Sequence, residues 1–500
     1  MISSSMIPLF VIIPLSGAFL CPILGKRVKS AVDGLGVMAV LGVFVLSVFA
    51  VLTLGMRGYA PLTLMAGNWP APFGIQMVLD SLTAFMLVTV NFVALLVAIY
   101  SVSYMEKYTA KWKYFTLFLL MLAGMNGVII TGDIFNLFVF LEVASIASYA
   151  LVAFGTDKHE LEAAFKYAVM GSIGSLFILM GITFLYAHAS TLNMADMASR
   201  LGSLYHGRIV ASAAMVLFLV GFGFKSALVP FHAWLPDAHP SAPAPISAML
   251  SGVLIKSLGV YAICRLAFNV FGIDPDVQSI LMALGALSMA VGVVLALYQW
   301  DMKRLLAYHS ISQIGYIVLG LGIGTPLGIM GGLLHLFNHS VFKSLLFLNS
   351  GAVEYSVGSR NLKEMGGLSQ RMPVTSWTTL SASMSISGVP PFAGFWSKLL
   401  IIMACVQEKQ WVYGAIAVAV SILTLMSFMK VTRYAFLGTI RDTLRGVKEV
   451  PAFMRLAMVG LAIVCIVGGL LLLPGVREMF LGSASSVLSG GIVLPGEMGR

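Results

Sequence analysis

The chain has 500 residues, of which 59% are hydrophobic and only 10% are charged, and its formal net charge is +10. Because soluble domains carry about 25% charged residues, this composition excludes a soluble protein and indicates an integral membrane protein. The positive charge is better explained by loops that set membrane orientation than by nucleic-acid binding, so we expect a lipid bilayer and no nucleic acid as a partner.

Apolar stretches long enough to cross about 30 Å of hydrocarbon recur along the whole chain. The hydropathy pattern predicts an all-α polytopic membrane protein with about fourteen transmembrane helices, in a single domain over residues 1–500. The predicted spans are 6–25, 31–55, 77–103, 113–131, 134–155, 163–188, 209–235, 246–271, 276–299, 303–323, 327–353, 373–405, 412–438 and 452–474.

Basic residues divide unequally between alternate loops, in a ratio of about three to one. The richer side begins with Lys26, Arg27 and Lys29, directly after the first span. That span has no basic region before it, so we expect it to be retained rather than cleaved as a signal peptide. Because cytoplasmic loops carry the excess of Lys and Arg, we predict a multi-pass protein of the cell membrane with both termini on the extracytoplasmic side.

Two predicted spans contain prolines that must interrupt a helix, since an interior proline costs about 3 kcal/mol. The stretch VGFGFKSALVPFHAWLPDAH carries Pro230 and Pro236, and the stretch SISGVPPFAGFWSKLLI carries Pro390 and Pro391. In transport proteins such breaks lie where freed backbone groups line a water-filled cavity.

The two broken spans are five spans apart, which is the pattern of an internal repeat. We predict that residues 113–271 (spans 4–8) and 276–438 (spans 9–13) are its two copies, each containing one broken helix. The alternative is that the prolines only reflect how common proline is in membrane helices.

Five ionisable residues lie well inside predicted spans, where a charge costs at least about 2.5–3.5 kcal/mol and is therefore a functional candidate. They are Glu142, Lys225, Lys256, Lys343 and Lys398. One carboxylate and four amines cannot all be charged and dry together, so some lysines must be neutral, hydrated or paired. Such a row is suited to passing protons. A static ion pair between Glu142 and Lys225 is the alternative, but it leaves the other lysines unexplained.

Histidines add titratable groups to this row, because imidazole changes its charge near neutral pH. His335 and His339 are four residues apart and share a helical face, but Leu336 stands where a zinc-binding helix of that spacing has its glutamate. We therefore expect a relay or a structural pair rather than a metal site. His309 is a further relay candidate. His232 lies beside the first break, where it either supports the relay or caps exposed carbonyls.

The four cysteines lie in apolar segments and form no Cys-x-x-Cys pair. Their spacing is typical of small packing residues and not of a cluster or zinc site. We expect no cofactor, no metal and no redox site in the chain itself.

Five stretches between Gly132 and Ile401 resemble the antiporter-like, proton-translocating membrane subunits of the complex I superfamily. They are GDIFNLFVFLEVASIASYALVAF, KSALVPFHAWLPDAHPSAPAPISAMLSGVLIKSLGVY, HSISQIGYI, HLFNHSVFKSLLFLNSG and SGVPPFAGFWSKLLI. The resemblance implies fourteen helices in two inverted five-helix repeats, and a proton path through a glutamate of the fifth helix and lysines of the seventh, eighth and twelfth. At the matching positions stand Glu142, Lys225, Lys256 and Lys398, with Lys343, His335 and His339 as connecting groups.

Within the superfamily, two sequence features distinguish between the possible kinds of subunit. The largest members end in a long lateral helix, whereas only residues 475–500 follow the last predicted span here. One complex I relative has glutamate at the position of Lys398. Lysine there is similar to the D subunits of Mrp-type sodium/proton antiporters and their homologues in hydrogenase-type, ferredoxin-driven complexes. This resemblance implies other membrane subunits as partners and protons as the ion moved, and it leaves the passage of sodium open.

Three alternatives remain from the sequence. The first is a proton-pumping membrane subunit of a respiratory NADH-quinone oxidoreductase (complex I), in which case the chain is part of an oxidoreductase complex without being its redox site. The second is a stand-alone secondary solute carrier, which needs a pocket with directional hydrogen bonds, whereas the marked residues here are nearly all titratable. A redox subunit is the third, but the sequence has no evident haem or cluster ligands.

Overall fold

The computed structural model of the protein describes residues 2–25, 29–108, 110–201 and 207–490, without the side chains of residues 29, 30 and 208. Lys26 and Arg27, on which part of the predicted orientation depends, lie outside these residues. Residues 491–500 of the predicted domain also lie outside them.

The described part of the chain is mostly helical. The α-helices are α1 Leu9–Gly25, α2 Lys29–Met56, α3 Ser81–Tyr104, α4 Lys111–Ile130, α5 Ile134–Val152, α6 Lys158–Ala189, α7 Met194–Leu201, α8 Gly207–Ser226, α9 Leu235–Ser241, α10 Ala244–Met249, α11 Tyr261–Cys264, α12 Pro275–Leu297, α13 Met302–Gly322, α14 Pro326–Val357, α15 Pro373–Ser387, α16 Ala393–Gln407, α17 Trp411–Val431, α18 Ala452–Val467, α19 Pro474–Arg477 and α20 Ser483–Gly490. Between α2 and α3, the strands β1 Leu62–Met65 and β2 Gln76–Leu79 form an antiparallel pair in which Leu62 lies opposite Leu79.

Shorter helical segments extend or connect these elements. The π-helical stretches are Leu250–Leu254, Lys256–Val260, Arg265–Val270, Thr432–Phe436 and Glu478–Gly482. The 3₁₀ turns are Ser4–Met6, Ala66–Asn68, Met105–Lys107, Leu362–Glu364, Leu368–Gln370, Asp442–Leu444 and Gly468–Leu472.

Twelve helices of the described residues are long and apolar enough to cross a membrane, and each coincides with a predicted span. The other two predicted spans, 327–353 and 373–405, correspond to α14 and to the pair α15 and α16. The prediction of an all-α, multi-span membrane protein is therefore confirmed. The exact number of fourteen crossings, the two repeats at 113–271 and 276–438, and their inverted relation stay predictions.

The first predicted break lies between α8 and α9. Ala227 has a positive φ of 55°, which ends α8, and Pro230 lies exposed in the link. The carbonyl of Phe224, near the end of α8, accepts a hydrogen bond from Trp234 Nε1 at 3.0 Å in addition to one from the N–H of Ala227. Pro236 lies in the first turn of α9, where a missing N–H costs nothing. Pro236 thus begins the second helical piece rather than breaking the first.

The second predicted break lies between α15 and α16. Gly388, with a φ of 77°, ends α15, and Pro390 and Pro391 are exposed in the link. A Cβ atom at Gly394 would overlap the carbonyl of Ser385, so only glycine lets the start of α16 approach the end of α15 this closely. A helix that resumes before Lys398, as predicted, follows from this geometry.

The centre of the bundle is formed by the segment Ala244–Val270 together with α13 and α14. The most apolar window of Ala244–Val270 is 100% buried and that of α13 is 94% buried, against 33% for α2, α17 and α18. A helix that is buried on every side is a core element, and a helix with one buried stripe faces lipid or another subunit. These central helices carry five of the nine predicted titratable site residues, namely Lys256, His309, His335, His339 and Lys343.

Candidate proton-conducting row

The carboxylate of Glu142 and the amine of Lys225 lie side by side in the first half of the chain. Glu142 is on α5, and Lys225 is in the last turn of α8, directly before the first break. Glu142 Oε1 and Lys225 Nζ are 3.5 Å apart, and their side chains are 27% and 3% exposed. The lysine is therefore the buried member of the pair, and the glutamate reaches the surface of the chain.

Hydroxyl groups surround this pair. Ser175 donates to Glu142 Oε1. Lys225 Nζ also donates to Ser145 Oγ at 3.1 Å and to Tyr149 Oη at 3.4 Å. Because these hydroxyls remain as partners, the amine can separate from the carboxylate without being left unbonded, which would otherwise cost about 1–3 kcal/mol.

Two hydroxyls and two backbone carbonyls lie between the amines of Lys256 and Lys343, both of which are wholly buried. Lys256 Nζ donates to the carbonyl of Ser251 at 2.6 Å. The hydroxyls of Ser251 and Ser310 are 2.7 Å apart, and Ser310 donates to the carbonyl of Leu306 at 3.1 Å. The same Leu306 carbonyl accepts from Lys343. The two amines thus lie at the ends of one short polar path.

Lys398 is positioned by the second break. Its Nζ donates to the carbonyl of Ile386, one of the last carbonyls of α15, at 2.8 Å, and lies 4.6 Å from the centroid of the Tyr316 ring. That ring lies 5.3 Å from the ring of His335. The broken helix therefore brings Lys398 to the histidines of α14.

Three of the four lysines have no carboxylate partner among the described residues. Lys256, Lys343 and Lys398 instead donate to backbone carbonyls. A carbonyl accepts a hydrogen bond from an amine whether or not the amine is protonated, whereas a carboxylate favours the charged form. These three amines are bonded in a way that is compatible with releasing a proton.

The fold places His335 of α14 against Ser397, the residue before Lys398, which the spacing of the two histidines alone did not predict. His335 Nδ1 is 2.9 Å from Ser397 Oγ, and its Nε2 is 3.2 Å from Gln313 Oε1. The rings of His335 and His339 lie 6.4 Å apart, and neither nitrogen of His339 has a hydrogen-bond partner among the described residues. A buried imidazole without a partner is unusual and needs a functional explanation.

His309 and His232 have different surroundings. His309, on α13, is wholly buried, and its Nε2 lies 2.8 Å from Ser427 Oγ. His232 lies in the link after α8 and is half-buried. Its two predicted roles, capping exposed carbonyls and supporting the relay, both stay predictions.

One buried ion pair was missed by the sequence reasoning. Asp80 begins α3 and accepts from Thr83 N at 2.8 Å as a cap, but it also lies 2.6 Å from the guanidinium of Arg265. Burial alone would raise the pKa of Asp80, but the charge of Arg265 and the hydrogen bonds from Arg265 and Thr83 outweigh it and hold that pKa below its usual value. A signal for this pair was present, because Arg265 is an arginine inside the predicted span 246–271.

A second ion pair links α13 to α14. Lys303 Nζ lies 3.0 Å from Glu354 Oε2, and the Lys303 side chain is only 3% exposed. Lys303 stands at the beginning of the predicted span 303–323, where a basic residue is expected to face the loop side. Its partner is 51 residues further along the chain, so only the fold brings the two together.

Cysteines and metal-binding side chains form no obvious centre. The four cysteines are buried and unpaired. Among residues 2–25, 29–108, 110–201 and 207–490, no group of three or more His, Cys, Asp or Glu side chains is arranged to hold a metal ion.

Comparison with family models gives two matches. The family described as NADH:quinone oxidoreductase/Mrp antiporter, TM, matches residues 131–426. The family described as NADH-Ubiquinone oxidoreductase (complex I), chain 5 N-terminus, matches residues 65–115. The first match contains every residue of the row described above.

Individual proteins are similar over most of the chain. The D subunit of the Na(+)/H(+) antiporter of Alkalihalophilus pseudofirmus is 38% identical, covering 81% of this chain and 82% of its own. The N subunit of the NADH-quinone oxidoreductase of Desulforudis audaxviator is 36% identical, covering 89% and 90%. A chain in the structure of the Mrp complex from a Dietzia species superimposes with a TM-score of 0.89 at 28% sequence identity, over 97% of this chain and 98% of that one.

Proposed function

The chain belongs to the NADH:quinone oxidoreductase/Mrp antiporter transmembrane family, and from this premise we propose that it is a proton-translocating, antiporter-like member of an Mrp-type multisubunit complex, equivalent to the D subunit of such a complex. Its partners are other membrane subunits and the lipid bilayer. The observation that carries this proposal is the row of buried amines and imidazoles from Lys225 to Lys398, which follows the central helices.

In the first half, Glu142 controls the proton on Lys225. While the two are in contact, the carboxylate stabilises the ammonium. When they separate, the buried ammonium loses that stabilisation and passes its proton towards Lys256. Moving a charge through 100 mV is worth about 2.3 kcal/mol, which is comparable to the 1–3 kcal/mol of a typical coupling free energy.

The proton then moves from Lys256 to Lys343 past the Ser251 and Ser310 hydroxyls, with water bridging each amine to the nearer hydroxyl, because the amines themselves bond to backbone carbonyls, which have no proton to pass on. The histidines of α14 carry it on to Lys398, which lies beside the second break. Freed backbone groups at such a break admit water, so Lys398 can exchange its proton with the extracytoplasmic side. Both termini lie on that side in this proposal.

Protons are the ion that this row is suited to carry. Its members are amines, imidazoles and hydroxyls, which bind and release protons, whereas hard metal cations prefer several oxygen ligands. Glu142 is the one carboxylate in the row. We therefore assign proton movement to this chain and leave the path of sodium to the complex as a whole.

The test is Glu142→Gln in the assembled complex, measured as proton uptake into membrane vesicles. We expect transport to be abolished while the amount of assembled complex is unchanged, because glutamine keeps the shape but cannot hold the ammonium. Glu408→Gln, at an exposed end of α16, is the matched control and should behave as the wild type. Full transport by an assembled Glu142→Gln variant would contradict the proposal.

A second candidate is a membrane subunit of a redox-driven NADH-quinone oxidoreductase. It is favoured by the 36% identity to an N subunit over 89% of the chain. The proton path is the same in both cases, but the driving force differs. If proton movement in vesicles depends on NADH or quinone and not on a sodium gradient, and redox subunits copurify with the chain, this second candidate is correct.

A further inference from the structure

A polar cavity of about 480 Å³ opens on the side of the molecule to which the loop charges assign the cytoplasm. Charged residues from both halves of the chain line it, among them Glu160 and Lys166 of α6, Asp237 of α9, Lys303 of α13 and Glu354 of α14. None of these residues belongs to the row from Glu142 to Lys398. The cavity therefore needs an explanation of its own.

Two basic residues of the second half hold the end of α9 at the floor of this cavity. Lys303 Nζ donates to the carbonyl of Ala242 at 3.1 Å, and Arg360 donates to the carbonyl of Pro240. Cations are favoured at the carbonyl end of a helix. Glu354 contacts both of them, at 3.0 Å from Lys303 and 3.7 Å from Arg360. The negative charge of Glu354 thus attracts both Lys303 and Arg360, the two residues that bond to the end of α9.

Glu354 and Lys303 differ in their access to the cavity. The Glu354 side chain is 27% exposed, whereas that of Lys303 is 3% exposed. The groups facing the carboxylate are Lys303 from α13, Arg360 from the following loop, Tyr104 from the end of α3 and Lys107 from the 3₁₀ turn after it. A proton from the cavity therefore meets Glu354 first, and Lys303 lies behind it.

Below Glu354, one face of α14 leads to Lys343. Residues 343, 347, 350 and 354 are spaced by four, three and four, so they share that face. Ser350 is 1% exposed, and its hydroxyl has no hydrogen-bond partner among the described residues. Phe347 lies between Ser350 and Lys343, with its ring centroid 5.4 Å from Lys343 Nζ.

The ring of His239 covers Phe347 from α9. The two ring centroids are 4.5 Å apart, and His239 is wholly buried. Neither nitrogen of His239 has a hydrogen-bond partner among the described residues. Leaving a buried polar group unbonded costs about 1–3 kcal/mol, so two such groups on one path between a cavity and a buried amine require a reason.

We propose that this cavity is a cytoplasmic proton inlet that leads to Lys343, with the Lys303–Glu354 pair as its gate and Ser350 and His239 as its relay. The inlet rests on the proposed function, because it supplies the same row. It enters that row in the middle, separately from the Glu142–Lys225 pair.

Each transfer in the inlet moves one proton. A hydronium ion in the cavity gives a proton to the carboxylate of Glu354, which becomes a carboxylic acid and leaves a water molecule. The neutral acid no longer holds Lys303, so the pair separates and water from the cavity can enter. Because Ser350 and His239 have no direct hydrogen-bond partners among the described residues, water molecules must bridge the steps: the acid gives its proton through water to the Ser350 hydroxyl, which passes its own proton on. A nitrogen of His239 accepts that proton, and the imidazolium transfers it through water to the neutral amine of Lys343.

Chemical labelling tests the access path without measuring transport. Ser350→Cys in the assembled complex is treated with a membrane-impermeant thiosulfonate from the cavity side, in vesicles of the corresponding orientation. We expect slow labelling that becomes several-fold faster when Glu354→Gln is added. Ala352→Cys is the matched control, because Ala352 is equally buried and closer to the cavity side but lies on the opposite face of α14. Equal labelling of both cysteines, or labelling of Ser350→Cys from the other side only, overturns the inlet.

A transport measurement tests the relay. His239→Phe keeps a ring against Phe347 but removes the nitrogens, so proton uptake should fall at least several-fold while the assembled amount and the labelling of Ser350→Cys stay unchanged. His188→Phe, at the end of α6, is the matched control and should transport normally. If Glu142→Gln is inactive but His239→Phe transports at the wild-type rate, the inlet is wrong and the proposed function stands. If Glu142→Gln is fully active, the proposed function is wrong, and the labelling result still decides on the inlet.

Discussion

At the scale of single residues, Lys398 has the most specific surroundings of the row. Its amine bonds to a carbonyl that the end of α15 leaves without a helical partner, and it lies over the Tyr316 ring. A purely structural anchor at this place needs only a donor, whereas an exit for protons needs a donor that can also be neutral. Substitutions at this residue separate the two roles.

We expect Lys398→Ala to block transport, and Lys398→Arg to be little better, because arginine stays protonated at any working pH. Lys398→Glu should retain part of the activity, since a carboxylate also exchanges protons. The measurement is proton uptake by vesicles that contain equal amounts of assembled complex. Lys409→Arg, in an exposed position after α16, is the control. Wild-type activity of the arginine variant would show that Lys398 is only an anchor.

The residues of the row could be predicted because a charge inside an apolar span is costly and therefore conspicuous. Glu142, Lys225 and Lys398 were identified from that signal alone. Their partners could not be predicted in the same way. The hydroxyls of Ser251 and Ser310 are ordinary in a helix, and their 2.7 Å contact joins segments 59 residues apart. Which serine connects two amines is decided by the packing of helices and not by local sequence.

At the scale of helices, the presence of the two breaks was predictable from proline, but the residues at which the flanking helices end and begin were not. A single span was predicted over 209–235, whereas α8 ends at Ser226 and α9 continues to Ser241. Proline marks where a helix cannot continue, and it also suits the first turn of the next helix, as Pro236 does. The end of α8 at Ser226 is followed by Ala227, a residue with no special turn preference, and the link after it is held by a tertiary contact, in which the Val229 N–H donates to Ser288 Oγ of α12 at 3.0 Å.

The buried pair of Asp80 and Arg265 ties α3 to the segment that carries Lys256. Arg265 also donates to Tyr261 Oη at 2.9 Å and to Thr83 Oγ1 at 2.9 Å, so its guanidinium is held on several sides. Removing one partner of a buried pair typically costs about 3–5 kcal/mol, because the other charge is left uncompensated. The segment with Lys256 is therefore fixed at its far end by this clamp.

We expect Asp80→Asn to lower the unfolding temperature of the purified complex by several degrees, with Asp274→Asn, which removes only a helix cap on α12, as a milder control. The pKa of Asp80 is lowered in the folded state, so the stability from the pair is complete above the unfolded value of about 3.9. It is lost only as the pH falls through the lower folded value. The difference in unfolding temperature between the Asp80→Asn variant and the wild type should therefore be constant from pH 6 to pH 9. An equal effect of both substitutions would contradict the clamp.

At the scale of the whole molecule, the class of protein followed from composition, and the membership of its family, predicted from five stretches, is confirmed. Low charge and long apolar segments leave few possible folds, because only helices and closed barrels satisfy the backbone in lipid. The orientation and the two repeats stay predictions. The loop charges on which the orientation depends include Lys26 and Arg27, which the described residues do not cover.

The molecule also exposes a mid-span surface on α5 that we expect a neighbouring subunit to cover. Glu142 is 27% exposed at mid-span, and its neighbours Val139 and Ile146 on α5 are exposed as well. We expect the chain expressed alone in vesicles to show little sodium/proton exchange, because a carboxylate facing lipid is costly without a neighbouring subunit. Proton uptake by the purified single chain and by the assembled complex, at equal protein amounts, decides this. Strong exchange by the single chain would favour a stand-alone carrier.

The π-helical turns around Lys256 have a consequence for motion. Such a turn holds one residue more than an α-turn, and one residue corresponds to about 100° of rotation. If the stretch Leu250–Leu254 returned to α-helical winding and the π-helical stretches after it took up the difference, the residues around Lys256 would turn by up to that angle about the helix axis, while Arg265 stayed bonded to Asp80. Lys256 would swing away from the Ser251 carbonyl while both ends of the helix kept their depth in the membrane. We therefore expect that local rewinding of this segment can make or break the bond between Lys256 and the Ser251 carbonyl without moving the helix along its axis.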